Sequence, residues 1–310
     1  DQIADAVVTD VLQNDPAGRV AIEVLIKDYH IVIAGELTSS HEPDYSTLID
    51  DVFTRIGKDS LGYDSKKFEI EILVSQQSPD IAQGVDVGGA GDQGMMYGWA
   101  SNETVELLPM PFVLADQGMM YGYATNETTE LLPIPFVVAT KFLELLRDYK
   151  TPIFRADAKA QVSFDYDSGT IKTFLCSTQT IPGADIKKVK AVISKLMKQV
   201  ALEYALNTNF QILVNPTGKF EVGGPFADSG VTGRKLACDT YGGVGHIGGG
   251  AMSGKDPSKV DRSGTYITRK IARDIVNAGY ADKCEVQIAY AIGVPEPVSI
   301  HVETFGTERQ

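Results

Sequence analysis

Cysteine is scarce in this chain: three among 310 residues, Cys176, Cys238 and Cys284, widely spaced and odd in number. Such a set excludes a disulfide framework and lacks zinc-site spacing, so it fits buried thiols in a reducing compartment. Histidine is nearly as rare. His30, His41, His246 and His301 have no metal-ligand spacing and read as structural. Basic charge is also short, with 28 Lys and Arg against 41 Asp and Glu and a net charge of −13. That balance argues against nucleic acid as a partner, because neutralising phosphates takes a basic face. No apolar run approaches the length of a membrane span, and no signal-peptide pattern opens the sequence. The expectation is a cytoplasmic protein with no membrane partner.

What is present is an ordinary globular mix, 43% hydrophobic and 22% charged, long enough for two or three domains. Against the acidic background, clustered cations stand out. The segment Gly248–Ser263 (GGGAMSGKDPSKVDRS) packs glycine, three cations and two carboxylates into one stretch. Glycine lets backbone N–H groups approach an anion, and lysine neutralises phosphate oxygens. A carboxylate such as Asp261 can hold a Mg²⁺ that bridges those oxygens. The segment reads as a polyphosphate cradle. Gly249–Lys255 also fits the G-x-x-x-x-G-K spacing, but Asp256 replaces the required Ser or Thr and no clean buried strand precedes it. A P-loop is therefore not expected.

Three helix-plus-hairpin units follow from periodicity. The first has a helix over Ile3–Leu12 and strands Val20–Ile26 and His30–Leu37, turned at Lys27-Asp28-Tyr29. The second has strands Gln161–Tyr166 and Ile171–Ser177, turned at Asp167-Ser168-Gly169, and an amphipathic helix over about 185–204. The third has a helix near Tyr266–Ala278 and strands Cys284–Tyr290 and Val298–Phe305. The expected class is α+β, with three pseudo-repeated helix-plus-sheet domains and polar loops converging where they meet. Boundaries fall near 1–90, 91–215 and 216–310, with interleaving. A closer repeat lies inside the middle region. Residues 92–115 (DQGMMYGWASNETVELLPMPFVLA) are nearly restated by 116–139 (DQGMMYGYATNETTELLPIPFVVA). One tandem copy is too few for a solenoid, so this reads either as a local duplication or as an artificial restatement within the sequence.

Two long stretches carry a specific resemblance. Gly89-Ala90-Gly91-Asp92-Gln93-Gly94 and Gly249–Asp261 resemble the GAGDQG and GGGAFSGKDPTKVD signatures of the S-adenosylmethionine synthetase family. Smaller blocks agree: Gly35–Thr38, Gln77–Ile81, Asp157–Lys159, Asn215–Gly218 and Thr232–Lys235. The resemblance runs from Asp1 to about Thr307.

It implies a two-step reaction. Methionine sulfur attacks C5′ of ATP and displaces the triphosphate, which is then hydrolysed to pyrophosphate and phosphate. The cofactors implied are Mg²⁺, two per site, and K⁺. The assembly implied is a homodimer or a dimer of dimers, with sites between subunits. Lys159, Arg234, Lys235 and Lys255 would clamp the triphosphate and stabilise its growing charge. Asp80, Asp92, Asp157, Lys219, Phe220, Asp228 and Ala251 would contact the nucleotide. Glu36, Gln77, Asp228, Lys259 and Ile292 would hold methionine, Asp261 would ligate Mg²⁺, and Glu23 would help bind K⁺. The duplication gives Asp92 a rival in Asp116.

The family's Gly-His-Pro-Asp segment, which would precede Asp1, and its further C-terminal helices are not among these 310 residues. The linker between Gln83 and Gly89, a lid region in the family, is short. An alternative is therefore a catalytically impaired relative that regulates or scaffolds, and a weaker one is a hydrolase that turns ATP into ADP without methionine.

Overall fold

The computed structural model describes residues 1–57, 67–76, 118–149, 151–216, 218–227, 230–291 and 294–309. Helix α1 (Gln2–Asn14) buries Ile3, Ala4, Val7, Val8 and Val11, one face at helical spacing. Strands β1 (Arg19–Lys27) and β2 (His30–Thr38) form an antiparallel hairpin in which Lys27 pairs with His30. The turn is therefore Asp28-Tyr29, one residue tighter than expected, with Asp28 in the left-handed region (φ 52°). Helix α2 (Tyr45–Ile56) starts where the Asp44 carboxylate accepts the Thr47 N–H and ends at left-handed Gly57. Strand β3 (Glu69–Ser75) then runs parallel to β2. Val20, Ile22, Val24, Ile31 and Ile33 pack with α1 and α2 into the first core.

The same order recurs. Strand β4 (Gly118–Thr125) joins a distant sheet, and helix α3 (Ile134–Asp148) follows. The hairpin β5 (Phe154–Asp165) and β6 (Thr170–Thr180), helix α4 (Ile186–Glu203) and strand β7 (Gln211–Val214) come next, with β7 parallel to β6. Phe142, Phe174, Ile193 and Met197 anchor this second core. Helix–strand–strand–helix–strand thus occurs twice, each time with two helices on one side of a mixed sheet.

The third unit departs from that plan. Strand β8 (Gly230–Val231) returns to the outer edge of β1, and a short helix α5 (Leu236–Asp239) follows. Helix α6 (Val260–Asn277), β9 (Lys283–Tyr290) and β10 (Ser299–Glu303) then complete a sheet of order β10-β9-β4. Helix α6 begins before the expected Tyr266. Its buried stripe is Val260, Gly264, Thr268, Ala272 and Val276, mostly too small or polar to register as apolar periodicity. These small residues permit close packing on β4. A Cβ at Gly122 would lie 2.0 Å from the Thr268 carbonyl carbon, so only glycine fits there.

The α+β, three-unit expectation holds, and the units exchange strands through β4 and β8. The second copy of the duplicated segment supplies β4 and the start of α3. One thiol expectation is corrected. Cys176 and Cys284 are buried, but Cys238 is exposed on the surface helix α5.

Candidate active site

The outer edge of β1 is shared by two segments. At its far end, β8 pairs Val231 with Leu25, and the Thr232 N–H donates to the Val24 carbonyl. At its near end, Ile22 N–H donates to the Gly254 carbonyl, Asp256 N–H donates to the Val20 carbonyl, and Lys255 sits opposite Ala21. Gly254 passes so close to β1 (φ 78°) that a Cβ would lie 1.9 Å from the Ile22 carbonyl oxygen. Both segments carry expected phosphate cations, so one strand edge positions Arg234, Lys235 and Lys255. Lys255 lies in this bridge and does not open a helix, in line with the exclusion of a P-loop.

The β8 end borders a cleft of about 620 Å³. Asp157 and Lys159 from β5, Arg234 and Lys235 after β8, and the apolar Ile3, Val24 and Ile26 are among its walls. Asp157 Oδ2 accepts the Gly224 N–H at 2.8 Å, which fixes that carboxylate at the rim. Lys159, Arg234 and Lys235 are exposed. Among the described residues, these three form no ion pair. The arrangement offers open positive charge beside an apolar floor, which suits a ligand with one anionic and one apolar end.

The Gly254 end is organised differently. Lys255 Nζ lies 2.5 Å from Asp261 Oδ2, with side chains only 18% and 12% exposed. Asp261 sits in the first turn of α6, where negative charge favours the helix dipole. Lys259 Nζ donates to Asp256 Oδ2 at 3.0 Å, and this pair is still more buried. Asp256 also accepts the Val20 N–H at 2.6 Å and the Ser258 N–H at 2.8 Å. Burial pushes the Asp256 carboxyl up, but the Ser258 and Val20 hydrogen bonds and the Lys259 charge outweigh it and hold it below the ordinary range. Arg262 Nη1 donates to Asp5 Oδ1 and to the Lys255 carbonyl, while the Gly254 N–H donates to the same Asp5 oxygen. Asp5 and Arg262 thereby brace the backbone that presents Lys255.

Glu23 and Glu36 are exposed, and strand register places both on the outer face of the first sheet. Glu36 is opposite Ala21, which is itself opposite Lys255, and Glu23 is one pair along that face. The cleft, lined by Val24 and Ile26, belongs to the helix-covered side. The expected cations therefore gather in two clusters at the two ends of the β1 edge, joined where Ala251 abuts Gly233, whereas Glu23 and Glu36 lie on the face of the sheet away from the cleft. Ala251 is half-buried in the loop leading to Gly254. Lys219 is exposed and Phe220 half-buried, with the Phe220 carbonyl accepting the Thr180 N–H at 2.8 Å; neither lines the cleft. Gln77, Asp80, Asp92, Asp116, Asp228 and Ile292, and the linker 83–89, lie outside the described residues.

No group of three or more His, Cys, Asp or Glu stands ready for a metal among the described residues. A single recessed carboxylate, Asp261, fits Mg²⁺ nonetheless, because that ion takes one or two carboxylates and fills its shell with water and phosphate oxygens. Sequence reasoning missed Asp5, Asp256 and Arg262. Their one visible signal is Asp256-Pro257-Ser258, a turn-forming run whose aspartate can cap its own backbone.

The fold and the two clusters define a class: an α+β protein of three strand-exchanging helix-and-sheet units, with a cationic cleft at one strand edge. Comparison with known families then gives the particular assignment. The S-adenosylmethionine synthetase N-terminal domain matches residues 1–79, the C-terminal domain matches 222–310, and the central domain matches twice, at 87–116 and 115–220. The chain belongs to the S-adenosylmethionine synthetase family. An S-adenosylmethionine synthase of Mesoplasma florum is 42% identical over 319 residues, covering all of this chain and 79% of that protein. The two central-domain matches meet where the first repeat copy ends and the second begins.

Proposed function

We propose that this protein synthesises S-adenosylmethionine from ATP and L-methionine. The observation that carries the reading is the convergence of Lys159, Arg234 and Lys235 on one cleft in a chain of net charge −13. The methionine sulfur donates a lone pair to C5′ as the C5′–O bond breaks, and the bonding pair leaves with the triphosphate. The products are a sulfonium and tripolyphosphate, which a second step hydrolyses to pyrophosphate and phosphate. Sulfur is the nucleophile, so the protein needs no covalent residue; it aligns the two substrates and stabilises charge on the leaving group. Arg234 supplies a planar fork for bidentate phosphate contact, and Lys159, Lys235 and Lys255 act as point charges.

Asp157 binds the nucleotide from the cleft rim, next to the segment carrying Lys219 and Phe220. Asp80, Asp228, Ala251 and the DQG aspartate complete the nucleotide contacts. Glu36, Gln77, Lys259 and Ile292 orient methionine. Asp261 would hold Mg²⁺, which would supply charge neutralisation for the polyphosphate. Glu23, on an exposed sheet face, supplies an oxygen for K⁺.

The working unit is a homodimer or a dimer of dimers. Glu23 and Glu36 lie on the opposite face of the first sheet from the cleft, so a site that uses both kinds of residue is built most directly from two chains. Leu25 and Leu73, 42% and 56% exposed on the outer face beside Glu23 and Glu36, give a second copy an apolar surface to cover. Among the described residues no helix is long and apolar enough to cross a membrane; a cytoplasmic location is part of the proposal.

Mass spectrometry of products after incubation with ATP, methionine, Mg²⁺ and K⁺ tests the reading. S-adenosylmethionine with pyrophosphate and phosphate is the expected result. ADP formed without methionine would replace the assignment with a hydrolase.

A further inference from the structure

Lys255 and Asp261 have separate tasks in the proposed reaction, one on the triphosphate and one on the metal. In the structure, however, they are engaged with each other. The contact is 2.5 Å, and both side chains are mostly withdrawn from water. The backbone of Lys255 is fixed by its bridge to Ala21 and by the Arg262 hydrogen bond to its carbonyl. Asp261 is fixed in the first turn of α6. Neither partner can leave by moving its backbone; only the lysine side chain is long enough to swing away. Lys259 is no substitute, because it is committed to buried Asp256.

We propose that the Lys255 ammonium is a place-holder for the divalent cation. In the free protein it neutralises Asp261 and keeps a recessed carboxylate from standing uncompensated. When a divalent cation takes the carboxylate, Lys255 is released and turns to the polyphosphate. Each ligand pre-pays the separation of the pair for the other, so metal and polyphosphate bind with positive coupling. This inference rests on the assignment of Asp261 as the metal ligand.

The test is binding, on the full chain. Mn²⁺ alone, followed by electron paramagnetic resonance, should bind Lys255→Met about tenfold or more tightly than wild type, since a competing charge at contact distance is gone. Asp261→Asn should lose Mn²⁺ binding at this site. In the mirror experiment, metal-free tripolyphosphate followed by calorimetry should bind Asp261→Asn more tightly than wild type, by a similar factor, because Lys255 is then free. Unchanged Mn²⁺ affinity in Lys255→Met, with loss in Asp261→Asn, would overturn the place-holder and leave the metal assignment standing. Wild-type Mn²⁺ affinity in Asp261→Asn would overturn the metal assignment itself. Should Lys255→Met fail to fold, the tripolyphosphate measurement on Asp261→Asn decides: no gain over wild type would overturn the proposal.

Discussion

The two ends of the β1 edge present cations in opposite states. Around the cleft, Lys159, Arg234 and Lys235 are exposed and without ion pairs among the described residues. Around Gly254, Lys255 and Lys259 are recessed, each held by an aspartate. Open cations can receive an anion at once, whereas paired cations must first exchange partners. The difference separates capture from activation: the cleft supplies attraction, and the paired end responds only when a competing charge arrives. It also separates stability from chemistry, because Asp256–Lys259 is so buried that it ties the Gly254 end to β1 whether or not a ligand is present.

The largest effects should come from the cations of both ends. Arg234→Ala and Lys255→Met should each lower S-adenosylmethionine formation by about 10²–10³-fold, since each removes a charge that stabilises the leaving group. Steady-state rates check this, and near-normal turnover of either variant would remove that residue from the clamp. Next comes Asp256→Ala. Loss of a buried acceptor that serves Val20, Ser258 and Lys259 leaves the Lys259 charge uncompensated and should cost about 3–5 kcal/mol of stability in denaturant unfolding.

The same carboxylate predicts a pH dependence. Its folded pKa is lowered, so its contribution is complete above the unfolded value of about 3.9 and is lost as pH falls from there through the lower folded value. Acid titrations of stability should show a shallower loss in Asp256→Asn than in wild type.

Much of the fold was legible because alternation and helical spacing are local. Helices α1 and α4 and the hairpins β1–β2 and β5–β6 were visible to within a few residues at most ends, though β5 begins well before the expected Gln161. The start of α6 was hidden because its buried stripe uses Gly264 and Thr268 to approach β4 closely, and neither residue reads as apolar. Helix α3 was hidden by its prolines and by its position across the end of the repeat. Strands β3 and β7 escaped notice because each is defined by parallel pairing to a distant neighbour, and β7 is only four residues long. In the site, the cations were legible as clusters against an acidic background. Their pairing was not. Lys255 and Asp261 meet only because one lies in a strand bridge and the other in a helix turn.

The duplication sharpens the comparison at smaller scale. Deleting residues 92–115 joins Gly91 to Asp116 and keeps a GAGDQG signature, now with Asp116 as its aspartate, while β4 and α3 keep their present residues. Thermal stability of that variant should stay close to wild type. Separate Asp92→Asn and Asp116→Asn changes should then show, by rate, which copy serves the site. The smallest effect is chemical. Cys238 should react with iodoacetamide in the folded protein, whereas Cys176 and Cys284 should not, being buried with thiols pushed up to about 12 and about 11. Tripolyphosphate should slow the Cys238 reaction if it lodges beside neighbouring Arg234 and Lys235, and mass shifts would report it.

The closure of β1 has a consequence for biogenesis. Its edge is completed by hydrogen bonds spanning 208 residues to Thr232 and 236 residues to Asp256. During synthesis the first sheet emerges with one flank of β1 unpaired, and most of the chain must be translated before its covering segments exist. Contacts of that separation slow folding and leave a strand edge open to wrong partners in the interval. The sheet built on β1 and β2 is thus completed only after residue 256 has left the ribosome.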